Sequence, residues 1–531
     1  MLSYQLLHPY YFFSRFSDNP VVISGDRLLI IDPRKSEKNE DECWSISLTE
    51  LNKIHNPRKT LTCIFNRFKF NESVLEKGEY KGTLFWFPLR QIPSTLCSTV
   101  YTDKKAKSLF KSFLQESSYN LLFLSNLEKI KIYNARDDLP KFTIEMYEIH
   151  KKEFNITRRK FRDDLAKLEK KLPNNTIKAQ FEAVIRTNDT EKHYAVVSCL
   201  TGTEAMSEGM RRLLNDKEMS YSPYTSVAYC TKSDSTAKPG HVFCFLPLPI
   251  PHKSLTGLPV HVNGFFDLED NRRHLKLADA NNETEKSDKA LMWNKGLIQE
   301  FLPDSYYALV QFLKEKSMKN ANRFVDEVYQ SIPDPDVVDL NWYPLITTLY
   351  KKLLDGECFY TKQGGGKWIK QCESLFSVFD EKISDDIRNN IETFLIDHGE
   401  NLVKLPSHIV RVMKHMNQSP DLISPKTVRN KLKRSHVWQT YTFERQLKIL
   451  TFILQDQVYE DLRMLKLLPL NNKTFTSFST DVEELYVLGD EADKFFPGMD
   501  KRLISKAKVS DVVWQHLVTV AKRGKLHDFL Y

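Results

Sequence analysis

No C-x-x-C pair, no H-E-x-x-H helix and no apolar run of about 18 residues occurs in this 531-residue chain, and each absence removes a class of protein. Cys43, Cys63, Cys97, Cys199, Cys230, Cys244, Cys358 and Cys372 stand far apart, so neither a zinc knuckle nor a dithiol redox centre is expected. Scattered thiols of this kind fit a reducing compartment. The 14 histidines show no ligand spacing, and no metal is expected. The most apolar stretch, residues 242–250, is broken by Pro247 and Pro249, so no membrane span is expected and a membrane is not counted among the partners. The first residues include Leu2, Leu6 and Leu7 but lack a basic lead and are interrupted by His8 and Pro9, unlike a signal peptide. A cytoplasmic location is the resulting expectation. Long Ser, Gly, Gln or Pro tracts are also missing, which excludes wholesale disorder.

What is present is ordinary globular usage: 41% hydrophobic and 27% charged residues, with a net charge of +8 that favours solubility more than it demands a polyanionic partner. At about 100–200 residues per domain, the length corresponds to three or four domains.

Residues 28–32, 61–65, 83–89 and 121–133 carry β-branched, aromatic and leucine-rich runs between turn formers and read as strands. Residues 103–116 read as a helix, because Asp103 can cap it and Ala106, Leu109, Phe110, Phe113 and Leu114 recur at helical spacing. Residues 151–172 form the densest charge cluster. Phe161, Leu165, Leu168 and Leu172 make an apolar stripe there on an otherwise basic helix, expected to be a linker. Strand-like runs follow at 193–200, 242–246 and 260–268, joined by a turn-rich stretch around 220–240. From Ala290 the helical period dominates, punctuated by Pro303, Pro333, Pro335, Pro406, Pro420 and Pro425, which suits a bundle of short helices.

Four motifs invite a chemical reading. Gly364, Gly365, Gly366 and Lys367 suggest a phosphate loop, but the G-x-x-x-x-G-K-[ST] spacing fails and Trp368 follows, so a turn is expected. Asp397, His398, Gly399 and Glu400 pair carboxylate with imidazole, yet no nucleophile elbow accompanies them and Gly399 reads as a helix end. Arg158, Arg159, Lys160 and Arg162, with Lys426, Arg429, Lys431, Lys433 and Arg434, could follow a phosphate backbone. Aromatic interleaving for base stacking is sparse in both clusters, so nucleic acid is kept only as an alternative partner. Arg272 and Arg273 sit in a loop where a guanidinium could reach a phosphate in bidentate fashion; they are the candidate partner-binding residues, with a plain surface feature as the alternative.

Residues 82–90, Gly-Thr-Leu-Phe-Trp-Phe-Pro-Leu-Arg, resemble the GTLFRFPLR signature of the sacsin family, with Trp86 where relatives often carry Arg. Pro20, Ser24, Gly25, Asp26, Leu28, Asp32 and Pro33 resemble the segment that follows the ATP lid in that family. Residues 121–124 and 130–133 resemble its next strands. Residues 242–249, 256–266 and 271–274, with Trp293, Asn294, Leu302 and Pro303, are similar to the second segment of a sacsin repeat. Lys367, Trp368, Leu405, Pro406, His408, Ile409, Val410 and residues 467–470 resemble the third.

The resemblance implies a mixed α/β, or α+β, multidomain chain. Its expected parts are a partial GHKL (Bergerat-like) sandwich related to heat-shock protein 90 over 1–150, a basic helical linker over 151–176, a second α/β segment over 177–315 and a mostly helical third segment over 316–531. The Glu, Asn, Asp and Gly-rich lid that hold Mg-ATP in that class precede the matched region, which starts near Pro20. No catalytic residue, metal or cofactor is therefore expected, and Thr83, matching a threonine that lines the nucleotide pocket, is the one candidate vestige. Strands stripped of those helices would expose an apolar face, for which Leu6, Leu7, Tyr10, Tyr11, Phe12, Phe13 and Phe16 could be the cover. The implied function is that of a chaperone-associated scaffold in protein quality control, not an enzyme, with protein partners that include the heat-shock protein 70 machinery. The alternatives are a fragment of a larger ATPase completed by an upstream segment and a basic nucleic-acid-binding module.

Overall fold

The computed structural model describes residues 16–32, 43–115, 117, 119–124, 126–133, 139–147, 151–168, 171–216, 221–231, 240–249, 255–270, 272–277, 288–319, 324–416, 420–433, 437–458, 462, 465–477, 486–488, 498, 500–520 and 527–529. The chain forms two compact units, residues 1–117 and 118–531, both mixed α/β.

In the first unit, strands β1 (Val21–Gly25), β2 (Arg27–Ile31), β3 (Cys43–Ser47) and β4 (Tyr80–Trp86) make an antiparallel sheet in the order β3-β2-β1-β4. Alternation decides its faces. Ile23, Leu28, Ile46 and Leu84 are cross-strand partners on one face. They bury themselves against helices α1 (Leu48–Leu51), α2 (His55–Phe65) and α3 (Glu72–Lys77). Ser47 opens α1 with a capping box to Glu50, and Asn71 caps α3. Residues 61–65, expected as a strand, are the last turns of α2. Leu61 and Phe65 lie four apart and point together into the core, and Thr62 Oγ1 donates back to the Arg58 carbonyl at 2.9 Å. The other sheet face carries half-buried Val22 and Leu29 beside Phe85, which is 51% exposed. Of the residues proposed as its cover, only Phe16 lies within the described part, with its ring 6.4 Å from Phe87 and 5.0 Å from Tyr101. Helix α4 (Asp103–Gln115) is the last described helix of the unit, and Glu116, the end of the expected span, lies outside the described residues.

The second unit is built on an eight-stranded sheet of β5 (Lys129–Ile132), β6 (Phe142–Tyr147), β7 (Ile177–Arg186), β8 (Glu191–Leu200), β9 (Tyr224–Thr231), β10 (Val242–Cys244), β11 (Leu246–Pro247) and β12 (His261–Gly264). Its order is β11-β10-β12-β9-β8-β7-β6-β5, antiparallel except between β10 and β12. β9 lies where the sequence reads as turn-rich. Its Tyr, Ser and Thr residues resemble loop composition, but Thr225 and Ser226 are fully buried and paired, Thr225 Oγ1 with Ser305 Oγ at 2.7 Å. Of the described residues within 121–133, only β5 is a strand. Leu121, Leu122 and Phe123 are buried in consecutive turns, so their apolar run reports burial and not extension.

Helix α5 (Lys151–Lys167) joins β6 to β7, which pair through Met146 and Ile185. The expected division at 150 therefore falls within one sheet, and the expected linker packs on that sheet through Phe161. On the opposite face, Ala195, Val197 and Val227 bury a continuous helical rod: α6 (Lys289–Gly296), a π-turn over Leu297–Phe301, and α7 (Leu302–Lys319). The expected division at 315 cuts α7, and the same core runs on into α8 (Tyr343–Asp355) through Leu345 and Leu349.

Beyond it come α9 (Asp385–Asp397), α10 (Ser407–His415), α11 (Pro425–Leu432) and α12 (Phe443–Ile453), with a small sheet of β13 (Phe359–Thr361), β14 (Lys367–Ile369), β15 (Leu375–Phe376) and β16 (Leu402–Val403). Helices α9, α11 and α12 share a second core around Phe394, Val428 and Ile449. No described helix is long and apolar enough to cross a membrane.

Candidate functional site

Each signature residue has a definite place. On β4, Thr83 is exposed at the edge of the sheet and its Oγ1 lies 2.9 Å from Ser24 Oγ on β1. The hydroxyl pair is a cross-strand contact. Arg90, at the end of the same signature, is buried. Its Nε donates to Asp18 Oδ1 at 2.8 Å, its Nη2 donates to the same oxygen, and its Nη1 donates to the Thr99 carbonyl at 3.2 Å. Ser94 Oγ donates to that carboxylate at 2.7 Å, and the Arg90 amide donates to the Phe16 carbonyl at 3.1 Å. The arginine thus ties the loop before α4 to the segment entering β1. The sequence reading missed this role, because Asp18 lies 72 residues away and no local pattern marks the pair.

In the second unit the motif residues converge on one hairpin. Asn294 Oδ1 accepts the Asp267 amide at 2.8 Å, while its Nδ2 donates to the carbonyls of Asp267 (2.7 Å) and Lys276 (2.8 Å). Trp293 Nε1 donates to the Phe265 carbonyl at 2.8 Å, and the indole stacks on Tyr221 at 4.5 Å with the rings 1° from parallel. Tyr221 donates to Asp267 Oδ2 at 2.8 Å, and burial together with that carboxylate pushes its phenol far above the ordinary range. Arg272 and Arg273 are exposed at the tip of this anchored hairpin. Arg272 adopts a left-handed φ of 54°, and its amide donates to the Glu269 carbonyl at 2.7 Å. Asn271 lies outside the described residues. The arrangement places Arg272 and Arg273 on a braced, exposed turn.

On β12, His261 is half-buried. Its Nδ1 accepts the His241 amide at 3.2 Å, and both rings face Tyr119, at 5.3 and 4.8 Å. Burial, reinforced by His241 and Lys192, pushes its pKa down to about 3, so it is a neutral core imidazole. Asn263 is fully buried. Its Oδ1 accepts the Phe245 amide at 2.8 Å, where Phe245 turns through a left-handed φ of 63°. These packed polar groups were not singled out by the sequence reading, since no spacing rule marks them.

The tempting motifs are structural. Gly364, Gly365 and Gly366 have φ of 68°, 87° and 92° and turn the chain from β13 into β14, which only glycine does without strain. Asp397 ends α9 and accepts from Tyr441 at 2.7 Å and Arg445 at 3.1 Å, and Gly399 takes φ of 76° at the helix end. The basic clusters are partly spent internally. Arg162 donates to Asn126 at 2.9 Å, and Arg429 is buried in a bidentate pair with Asp456 at 2.8 and 2.7 Å. Lys431 pairs with Glu400. The Arg159 side chain and Arg434 lie outside the described residues. Among the described residues no group of His, Cys, Asp and Glu is arranged to hold a metal ion.

Braced turns, buried ion pairs and packed imidazoles define a mixed α/β protein whose motif residues are spent on architecture and on a two-arginine turn. Comparison with known proteins adds the lineage. Residues 13–146 match the model of the Sacsin domain. The human protein Sacsin is 28% identical over 544 aligned residues, covering 96% of this chain and 11% of that protein, so the chain spans a small part of its relative's length. Together these similarities support a sacsin family assignment, with the domain match confined to the first part of the chain.

Proposed function

We propose that this chain is a cytoplasmic, chaperone-associated scaffold of the sacsin type that acts in protein quality control by binding and without turning over nucleotide. The observation that carries the reading is the similarity to Sacsin along nearly the whole chain, together with the internal use of Arg90, Trp293 and Asn294 as clamps. Eight free cysteines fit the reducing compartment. The sheet of the first unit is read as part of a GHKL-like sandwich, with Thr83 as a remnant of its pocket wall, and Arg272 and Arg273 are read as the contact for a protein partner such as the heat-shock protein 70 machinery. Calorimetric titration with Mg-ATP, paired with a phosphate-release assay, tests the loss of catalysis. No saturable heat and no steady release are expected, and either one would overturn the reading.

A second reading has one observation in its favour: Phe85 lies exposed beside half-buried Val22 and Leu29 on the sheet face away from the helices. On that reading a separate upstream segment of a larger ATPase covers the face and completes a nucleotide site. Supplying such a segment in trans should then confer Mg-ATP binding, and a titration that stays flat would remove it.

A further inference from the structure

Helix α4 differs from the other apolar-striped helices of the molecule in what lies over its stripe. Leu109 is 48% exposed and Phe110 is 54% exposed, while Ala106, Phe113 and Leu114 on the same side are half-buried. Exposed phenylalanine and leucine side by side on a regular helix mark a surface that meets something apolar.

The charges around that stripe identify its partner. Lys104, Lys107 and Lys111 follow one another at i, i+3 and i+7, forming a row along the edge of the apolar stripe, and all three are exposed. None of them forms an ion pair among the described residues. Lys105 lies on the other flank, its Nζ 3.3 Å from the Val100 carbonyl. Asp103, in the first turn, is the one acidic residue of the helix. Lysine stems can lie along the apolar stripe while their ammonium groups stay at the level of anionic headgroups, with phenylalanine and leucine entering the acyl boundary. A protein groove would need acids matching a row on one flank, whereas a flat anionic surface satisfies cations on both flanks at once.

We propose that α4 is an interfacial helix that docks the first unit on the anionic surface of a lipid bilayer. The contact is peripheral and does not involve a membrane span, and it is independent of the nucleotide question. Its base is firm, because the loop leading into it is held by the Arg90 to Asp18 and Thr99 contacts, and Thr102 starts the helix by accepting the Ala106 amide on its carbonyl at 2.9 Å.

The test is flotation of the full chain with phosphatidylcholine vesicles and with phosphatidylserine-rich vesicles. Binding is expected to the anionic vesicles alone, to weaken with salt, and to fall about fivefold for each of Lys104→Gln, Lys107→Gln and Lys111→Gln. The double variant Leu109→Ser, Phe110→Ser should abolish it while leaving the melting transition in place, since both side chains are already exposed. Equal binding to neutral vesicles, binding that survives the serine variant, or no binding to any vesicle would each overturn the proposal. So would retention on polyglutamate without vesicle binding, which would assign the helix to an acidic protein partner.

Discussion

Helices α4 and α5 are nearly the same object in sequence: lysine-rich, one charged face and one phenylalanine-containing stripe, in adjoining parts of the chain. Their surroundings separate them. Phe161 of α5 is buried, its ring 6.2 Å from Tyr224, and Arg158 sits near enough for its charge to act on that phenol. Among the described residues Phe110 of α4 meets no comparable ring, and it is exposed. Helix α11, basic again, goes further than α5, because Arg429 is wholly withdrawn into its pair with Asp456. The same composition thus serves as core packing, as an internal ion pair and as an exposed surface. Periodicity says that a helix has two faces, and only the neighbouring element says whether either is covered.

That contrast can be broken by substitution, and the expected effects differ widely. Arg429→Ala leaves a carboxylate without its partner beside the second core and should cost about 3 kcal/mol of unfolding free energy, read from urea denaturation. Phe161→Ala should cost nearly as much, about 3 kcal/mol, through lost burial and the cavity left on the sheet. A loss below half that in the same assay would mean that α5 does not cover the sheet as described. Phe110→Ala on α4 should stay within about 0.5 kcal/mol, because its side chain is already in water.

Between those extremes stands a pH effect from the core that α5 and the turns of residues 119–124 help close. His261 has a folded-state pKa near 3 against an ordinary 6.5, so the fold holds it neutral and the unfolded chain takes up its proton first. Its contribution is fully present above about pH 6.5 and is lost as pH falls toward 3, about 2 kcal/mol between pH 7 and pH 5. His408 and His516, lowered by burial, act in the same direction. Comparing the urea midpoints of the parent and His261→Gln across that range isolates the His261 share. An unchanged slope in the variant would place the sensitivity elsewhere.

Much of the fold was legible because hydrophobic period and turn chemistry acted locally. The helices at 103–115, 151–167 and 289–319 lie where spacing predicts helix over 103–116, over 151–172 and from 290 onward, and the strands at 27–31, 80–86 and 191–200 overlap the runs expected at 28–32, 83–89 and 193–200. Where burial came from packed hydroxyls, as in β9, or an apolar run filled turns, as at Leu121 to Phe123, local pattern and fold parted company. The candidate site was legible only in part. Arg272 and Arg273 were found at an exposed turn, and Thr83 in a strand. The clamps made by Arg90, Asn294 and Trp293 were not, since a buried cation or amide is distinguished by its partner and not by its neighbours in sequence.

By itself the sequence determined the mixed α/β class, the positions of several long elements, the glycine turn at 364–366 and the family resemblance, because each depends on residues close together along the chain. Tertiary structure alone decided that strands 129–147 join the sheet of the second unit, that Arg90 and Arg429 are buried while Arg272 is exposed, and that Phe161 is covered while Phe110 is not. Those outcomes rest on desolvation and pairing across large sequence separations, which no local pattern encodes.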